Sequence, residues 1–331
     1  MNSSAAAVAH PNIAFIKYWG NRDDRLRLPA NGSLSMNLAG LITTTRVRFR
    51  RGLEADQVEL NGSPLIGPGL DRVSGFLDLI REMSGVETPA EVVSENNFPT
   101  GAGIASSASG FAALALAGSY AAGLTLSEET LSRLARRGSG SASRSVPGGF
   151  VEWQAGEGDR DSYAFTIAGP DHWRLADCVA VVSEGHKAVG STGGHPLAGT
   201  SPIQEARVAD APRRLALCRE AVLSRDFETF AQVVEQDNHL MHAVMMTSEP
   251  PLFYWVPATL KVILAVQRWR EEDGLSVCST IDAGPNVHVI CPEEQVGEVS
   301  KRLRALEGVN KVLESAVGGG AYLLPPEPDR V

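Results

Sequence analysis

Four polar clusters in this chain combine residue types and spacings that suit chemistry. The first is Pro99-Thr100-Gly101-Ala102-Gly103-Ile104-Ala105-Ser106-Ser107-Ala108-Ser109-Gly110. Its small residues let the backbone approach a polyanion, and it opens an apolar run whose first helical amides are unpaired donors. Those amides and the positive end of the helix dipole suit a phosphate. Ser106, Ser107 and Ser109 add hydroxyls for phosphate oxygens or Mg²⁺. The pattern is neither G-x-x-x-x-G-K-[ST] nor G-x-G-x-x-G, and a Gly/Ser-rich turn before a buried helix, with no ligand, is the lesser alternative. The second cluster, Ser139-Gly140-Ser141-Ala142-Ser143-Arg144-Ser145, sets hydroxyls beside one guanidinium that can grip a carboxylate or phosphate bidentately. A serine-rich helix cap with a solvated arginine is the alternative. Third is Asp282, at the end of an apolar strand in Ile281-Asp282-Ala283-Gly284-Pro285-Asn286, where a plain turn-forming role fits as well. Fourth is Lys17, in the otherwise apolar run 13–18. A buried lysine needs a partner, and Asp282 is the natural one.

Local patterns indicate the elements that must position these groups. Residues 33–38 and 43–49 alternate as strands, with Arg46, Arg48 and Arg50 on one face, and turns at 52–56 and 61–62 bracket a short strand. Val73, Phe76, Leu77, Ile80 and Met83 recur at helical spacing, and Gly85 is placed to end that helix. A strand at 92–95 leads through the glycine-rich turn into an apolar helix over 106–122. Thr125 with Glu128 reads as a capping box for the next helix, with Arg136 and Arg137 in its last turn. Strands at 150–154 and 179–183 finish a first domain over residues 1–184. The second, 185–331, opens with the Gly/Ser/Thr-rich stretch 185–201. Helices over 212–223, 226–245, 258–272 and 292–306 follow, with strands at 277–281, 287–291, 311–314 and 322–324.

The 331 residues, 43% hydrophobic and 21% charged, suffice for about two domains with real cores, and exclude a disordered or fibrous chain. Four scattered cysteines give no metal or disulfide spacing, so no zinc site is expected and a reducing, cytoplasmic setting fits. The first ten residues lack a basic start before an apolar run, so no secretory leader is expected, and the longest apolar stretch, about 14 residues, is too short to cross a bilayer. A formal net charge of −9 argues against nucleic acid and anionic membrane as partners. It leaves a small anionic substrate open, because a site needs only local cations.

In this order the clusters resemble one enzyme family. The matches are His10-Pro11-Asn12-Ile13-Ala14 through Ile16-Lys17-Tyr18-Trp19-Gly20, Leu28-Pro29 and residues 31–34. They continue with Ser94-Glu95-Asn96-Asn97-Phe98-Pro99-Thr100, the serine-arginine turn and Asp282-Ala283-Gly284-Pro285-Asn286, with weaker anchors at His242 and Pro250-Pro251-Leu252-Phe253-Tyr254. The chain is similar to the mevalonate-pathway decarboxylases of the GHMP kinase superfamily. That resemblance implies an α+β GHMP kinase fold: an N-terminal domain like the second domain of ribosomal protein S5, a ferredoxin-like C-terminal domain, and a site in the cleft between them.

It also implies chemistry. ATP phosphorylates the tertiary 3-hydroxyl of a phosphorylated mevalonate, the 3-phosphate leaves, and CO₂ is lost. Asp282 matches the family's base, Lys17 its ionic partner, and Arg144 the grip on the C1 carboxylate. Tyr18, Asn21, Ser139, Ser141, Ser191 and Thr192 fall at substrate positions. Ser94, Asn96, Pro99, Gly101, Ala102, Gly103, Ala105, Ser106, Ser107 and Ser109 fall around ATP, with Ser107 toward Mg²⁺. Relatives are commonly homodimers, and a homodimer is expected here.

Two departures concern the substrate's 5-phosphoryl tail. After Tyr18-Trp19-Gly20 the diphosphate enzymes carry a lysine that meets the diphosphate, and this chain has Asn21; Thr192-Gly193-Gly194-His195 supplies no arginine either. Each lost charge-assisted contact is worth on the order of 1.5–3 kcal/mol. The expected substrate is therefore 5-phosphomevalonate, giving isopentenyl phosphate. The alternatives are a diphosphomevalonate decarboxylase in which Arg22 or Lys187 compensates, a mevalonate 3-kinase, and a non-catalytic sensor on the same scaffold.

Overall fold

The alternating run Thr43–Phe49 becomes the third strand of a six-stranded sheet, ordered Tyr322–Leu323, Ser4–Ala9, Thr43–Phe49, Ala90–Asn96, Gln57–Leu60 and Ser63–Pro64. The structure, a computed structural model, describes residues 4–98, 106–185 and 189–325. Neighbouring strands are antiparallel except Gln57–Leu60, which runs parallel to Ala90–Asn96. Arg46 and Arg48 face solvent while Val47 and Phe49 pack inward, as a period of two requires. Helix Ser106–Ala121 lies on this sheet beneath helices Pro68–Ser84 and Glu128–Gly138, which explains why it is apolar on nearly every side. The cap of Glu128–Gly138 is Ser127, whose Oγ accepts from the Thr130 N–H at 3.2 Å. Thr125, expected in that role, lies two residues too early, because the segment before Ser127 stays extended.

A four-stranded sheet, Ala164–Ala168, Phe150–Trp153, Ser33–Asn37 and Asn12–Ile16, forms the inner layer. Ser33–Asn37 is buried on both faces. Leu34 and Met36 join the core around Phe15 and Phe230, while the Ser33 hydroxyl accepts from Arg144 and the Asn37 amide donates to the Pro147 and Gly319 carbonyls. The strand Ala164–Ala168 had no clear sequence signal.

The third sheet is Cys278–Thr280, Val287–Pro292, Leu175–Val181 and Lys311–Ala316. Leu175–Val181, which the sequence put at the end of the first domain, thus pairs with C-terminal strands, and Tyr322–Leu323 returns to pair with Ser4–Ala9. Helix Gln204–Ser224 starts eight residues ahead of the start read from Pro212, which lies inside it. The proline resembled a helix start, but buried Arg207 and Arg214 anchor the helix on both sides of it. Helix Phe227–Met246 begins where expected, with Asp226 accepting from the Thr229 N–H at 3.2 Å. The segment expected as one helix over 292–306 is a 3₁₀ turn, Glu293–Gln295, and a shorter helix, Val296–Arg304. Among the described residues, no helix is long and apolar enough to cross a membrane.

Candidate active site

Lys17 follows the bulged end of strand Asn12–Ile16, and its backbone is held on both sides. Its N–H donates to Asp237 Oδ2 at 2.6 Å, and its carbonyl accepts from Arg207 Nη2 at 2.8 Å and Asn31 Nδ2 at 3.0 Å. Arg214 pairs with the other oxygen of Asp237 at 2.8 Å, so the Lys17 backbone rests on a buried ion pair. Lys17 Nζ then reaches Asp282 Oδ1 at 2.7 Å, as expected. The ammonium side chain is 2% exposed and the carboxylate 29%, so the open oxygen of the pair faces the cavity. Burial lowers the Lys17 pKa below the ordinary lysine value, against the pull of Asp282. Burial alone would raise that of Asp282, but Lys17, His288 and Arg144 outweigh it and keep the carboxylate ionised. The Asp282 turn is itself fixed: the Ile281 N–H donates to Asn238 Oδ1 at 2.8 Å, and Ile281 O meets His242 Nε2 at 3.2 Å.

Arg144 sits in the 3₁₀ turn Gly140–Ser145 and is 3% exposed. It donates to Ser33 Oγ at 2.5 Å and to Asn12 Oδ1 from Nε and Nη2 at 3.3 and 3.2 Å, with Trp153 under the guanidinium. All of these partners are neutral. Burial lowers its pKa to about 10, with only partial relief from Asp282 and Tyr18. A buried cation that pairs with no carboxylate among the described residues suits an incoming carboxylate. Ser139 Oγ lies 3.2 Å from Ser107 Oγ and 3.4 Å from Ser141 Oγ, and the three hydroxyls line the same cavity.

Tyr18, Ser191 and Thr192 also line it. His195 stacks on Tyr18 with ring centroids 4.1 Å apart, and its Nδ1 accepts from the Gly20 N–H at 3.1 Å. Asn21 does not line the cavity: it accepts from the Tyr18 hydroxyl and donates to Asp24 at 2.8 Å. Arg22 does not compensate for it, because its guanidinium is turned outward to the Ala155 and Gly156 carbonyls. Lys187 lies outside the described residues.

A second, mainly apolar cavity of about 230 Å³ adjoins the first and shares Ser107 with it. Val58, Leu65, Val92 and Phe111 contribute its apolar walls, and Ser94, Asn96 and Ser106 its polar ones. Pro99, Gly101, Ala102, Gly103 and Ala105 lie outside the described residues. Ser109 is turned away: its fully buried hydroxyl bonds to Thr43 Oγ1 at 2.6 Å and the Ser106 carbonyl, so it faces the core and not a phosphate. One helical residue past Ser107 plus another is enough to rotate it off the cavity face.

The sequence did not single out Arg27, Arg72, His195 or Ser33 as site residues, nor the Asp237, Arg207 and Arg214 support under Lys17. Asn12 stood inside a quoted motif without a role. The only signal available was a charged residue in an apolar helix pattern, as at Arg207 and Arg214.

Two histidines near the site make stability pH-dependent. Burial lowers both His195 and His242 to about 3. In the unfolded chain they protonate near 6.5, so the stability they permit is complete above that pH and lost as pH falls from 6.5 toward 3. Between pH 7 and 5 the two should together remove about 2–4 kcal/mol. Urea unfolding at the two pH values checks this, and H242Q should remove about half of the difference; an unchanged difference in H242Q refutes the assignment.

Comparison with known proteins bears directly on this geometry. Residues 9–164 match a family model described as the diphosphomevalonate decarboxylase-like N-terminal domain, and residues 178–321 one described as the mevalonate 5-diphosphate decarboxylase C-terminal domain. A diphosphomevalonate decarboxylase of Ganoderma lucidum is 38% identical over 325 residues, covering 89% of this chain and 80% of the relative. The crystal structure of mevalonate diphosphate decarboxylase from Staphylococcus aureus superposes with a TM-score of 0.93 at 37% identity, covering 98% of this chain and 99% of that one. A further structure, solved with MVAPP, AMPPCP and magnesium, superposes at 0.90 with 35% identity and the same coverage. The expected α+β GHMP kinase fold is the fold observed. On these grounds the chain belongs to the diphosphomevalonate decarboxylase family.

Proposed function

We propose that this chain catalyses the ATP-dependent decarboxylation of mevalonate 5-diphosphate, yielding isopentenyl diphosphate, ADP, phosphate and CO₂. The observation that carries the reading is Arg144: a buried guanidinium with only neutral partners, in one cavity with an ionised Asp282 paired to Lys17. A tertiary alcohol is a crowded, weak nucleophile, so a carboxylate in hydrogen-bond reach is needed to orient it and take its proton. Asp282 supplies that group, and Lys17 keeps it charged. The transferred phosphoryl group makes the 3-oxygen a leaving group. As the C3–O bond breaks, the electrons of the C1 carboxylate bond move to form the C2–C3 double bond, and CO₂ departs. Arg144 holds that carboxylate in line with the breaking bond.

The apolar cavity that meets the first at Ser107 is a fitting seat for the nucleoside of ATP, with the phosphates reaching Ser107 and Ser139. Among the described residues no group of three or more His, Cys, Asp or Glu side chains is arranged for a metal. The Ser107 hydroxyl, a hard oxygen donor between the cavities, suits a magnesium ion carried mainly by nucleotide phosphates, which supplies charge neutralisation.

Mevalonate 5-phosphate, the substrate expected from Asn21, is the second reading, favoured by the neutral Asn21 held out of the cavity. The count of missing cations behind it is offset by Arg27, which lines the cavity. The test is CO₂ release with ATP and Mg²⁺ from the two substrates at matched concentrations. The diphosphate is expected to give at least tenfold higher kcat/KM. The reverse preference establishes the monophosphate reading, and ADP without CO₂ from either establishes a 3-kinase.

A further inference from the structure

The short ribbon formed by Asn21–Asp23 and Leu28–Pro29 carries three arginines, Arg22, Arg25 and Arg27, and among the described residues only Arg27 lines the cavity. Its backbone is left-handed, with φ 50, a conformation that residues with a Cβ adopt at a cost. Arg27 Nε donates to the Arg137 carbonyl at 3.1 Å, leaving both terminal nitrogens for a ligand. No carboxylate among the described residues pairs with it.

Beside it, Arg72 donates to the next carbonyl of the same helix end, Gly138, at 2.7 and 3.1 Å. Burial and the charge of Arg27 lower the Arg72 pKa to about 10. Arg72 stacks on Phe111 and lines the neighbouring apolar cavity, so Arg27 is the guanidinium of this pair that the first cavity presents to an anion.

Contacts order the groups along the cavity: Lys17 pairs with Asp282, Arg144 and Tyr18 both pack on Trp153, and the Tyr18 hydroxyl bonds to Asn21 in the ribbon that carries Arg27. The reacting carbons belong at the first end, so a substrate extended past Tyr18 brings its other end to Arg27.

We propose that Arg27 binds the 5-phosphoryl tail of the substrate and so sets the affinity for it, a role that rests on the activity proposed above. It takes over what position 21 cannot supply here, since Asn21 is neutral and committed to Tyr18 and Asp24.

Steady-state kinetics of wild type, R27Q and R27K test this, with KM measured separately for ATP and for each 5-phosphorylated mevalonate. R27Q is expected to raise KM for the preferred mevalonate substrate on the order of 10- to 100-fold, the loss of one or two charge-assisted contacts. KM for ATP should stay within threefold of wild type, kcat should fall much less than the substrate KM rises, and R27K should recover most of the affinity. An unchanged substrate KM, a larger effect on ATP, or equal impairment of R27Q and R27K overturns the assignment while leaving the activity in place. A wild-type preference for the monophosphate overturns the diphosphate reading alone, because the R27Q effect is then read on that substrate. A wild type that turns over neither overturns both.

Discussion

Replacing Asp282 with asparagine is expected to lower kcat on the order of 10²–10⁴-fold while leaving ATP binding within about threefold of wild type. The amide keeps the shape of the carboxylate but can neither take the 3-hydroxyl proton nor balance Lys17. That lysine is 2% exposed, and Asp282 is its ion-pair partner at 2.7 Å. Without the partner its ammonium stands uncompensated in a buried site, and its pKa falls further below the ordinary lysine value. The nucleotide end should not notice, since Asp282 lies in the cavity with Arg144 and not in the one walled by Phe111 and Val92. CO₂ release and equilibrium titration with a nucleotide analogue check the two halves. Residual turnover above about a tenth of wild type would remove Asp282 from the role of base.

The second large effect concerns Arg144. R144K keeps a positive charge, yet it is expected to reduce kcat/KM for the mevalonate substrate roughly 10²–10³-fold. The guanidinium reaches Ser33 Oγ and Asn12 Oδ1 at the same time and still presents an edge to the cavity. A lysine ammonium is a point charge that cannot hold that fork, so the carboxylate would be neutralised without being aligned. CO₂ release should therefore fall more than ADP formation, because in the proposed reaction phosphoryl transfer depends on Asp282 and the loss of CO₂ on the angle between the C1 carboxylate and the C3–O bond. Parallel assays of ADP and CO₂ measure the split. A variant retaining a third or more of wild-type kcat/KM would show that charge alone suffices and that Arg144 does not align the carboxylate.

Local pattern carried the sequence reading a long way. The alternation of Thr43–Phe49, the 3.6 spacing of Pro68–Ser84 with Gly85 behind it, and the helix start near 226 all depend on neighbours within one or two turns, and they stand in the structure as read. The pairing of Lys17 with Asp282 was legible for a different reason: a lysine in an apolar strand must find a carboxylate, and few candidates ended in apolar strands. Where tertiary contacts overrode local signals, the reading slipped. Pro212 marked a helix start by its chemistry, but Arg207 bonded to Lys17 O, 190 residues away in sequence, extends the helix ahead of it.

The cation inventory shows the same division more sharply. By itself the sequence named the acid, base and guanidinium proposed for the site, the buried helix that follows the Gly/Ser-rich segment, and a neutral position 21. Only the tertiary structure decided which of the nearby charges lines the cavity. Arg22 is spent on Ala155 O, 133 residues away, and Ser109 on Thr43 across the sheet. Arg27, left-handed in its backbone, lines the cavity and is tethered to Arg137 O, 110 residues away. Side-chain direction and the saturation of hydrogen bonds are set by such distant partners, and no window of local sequence contains them.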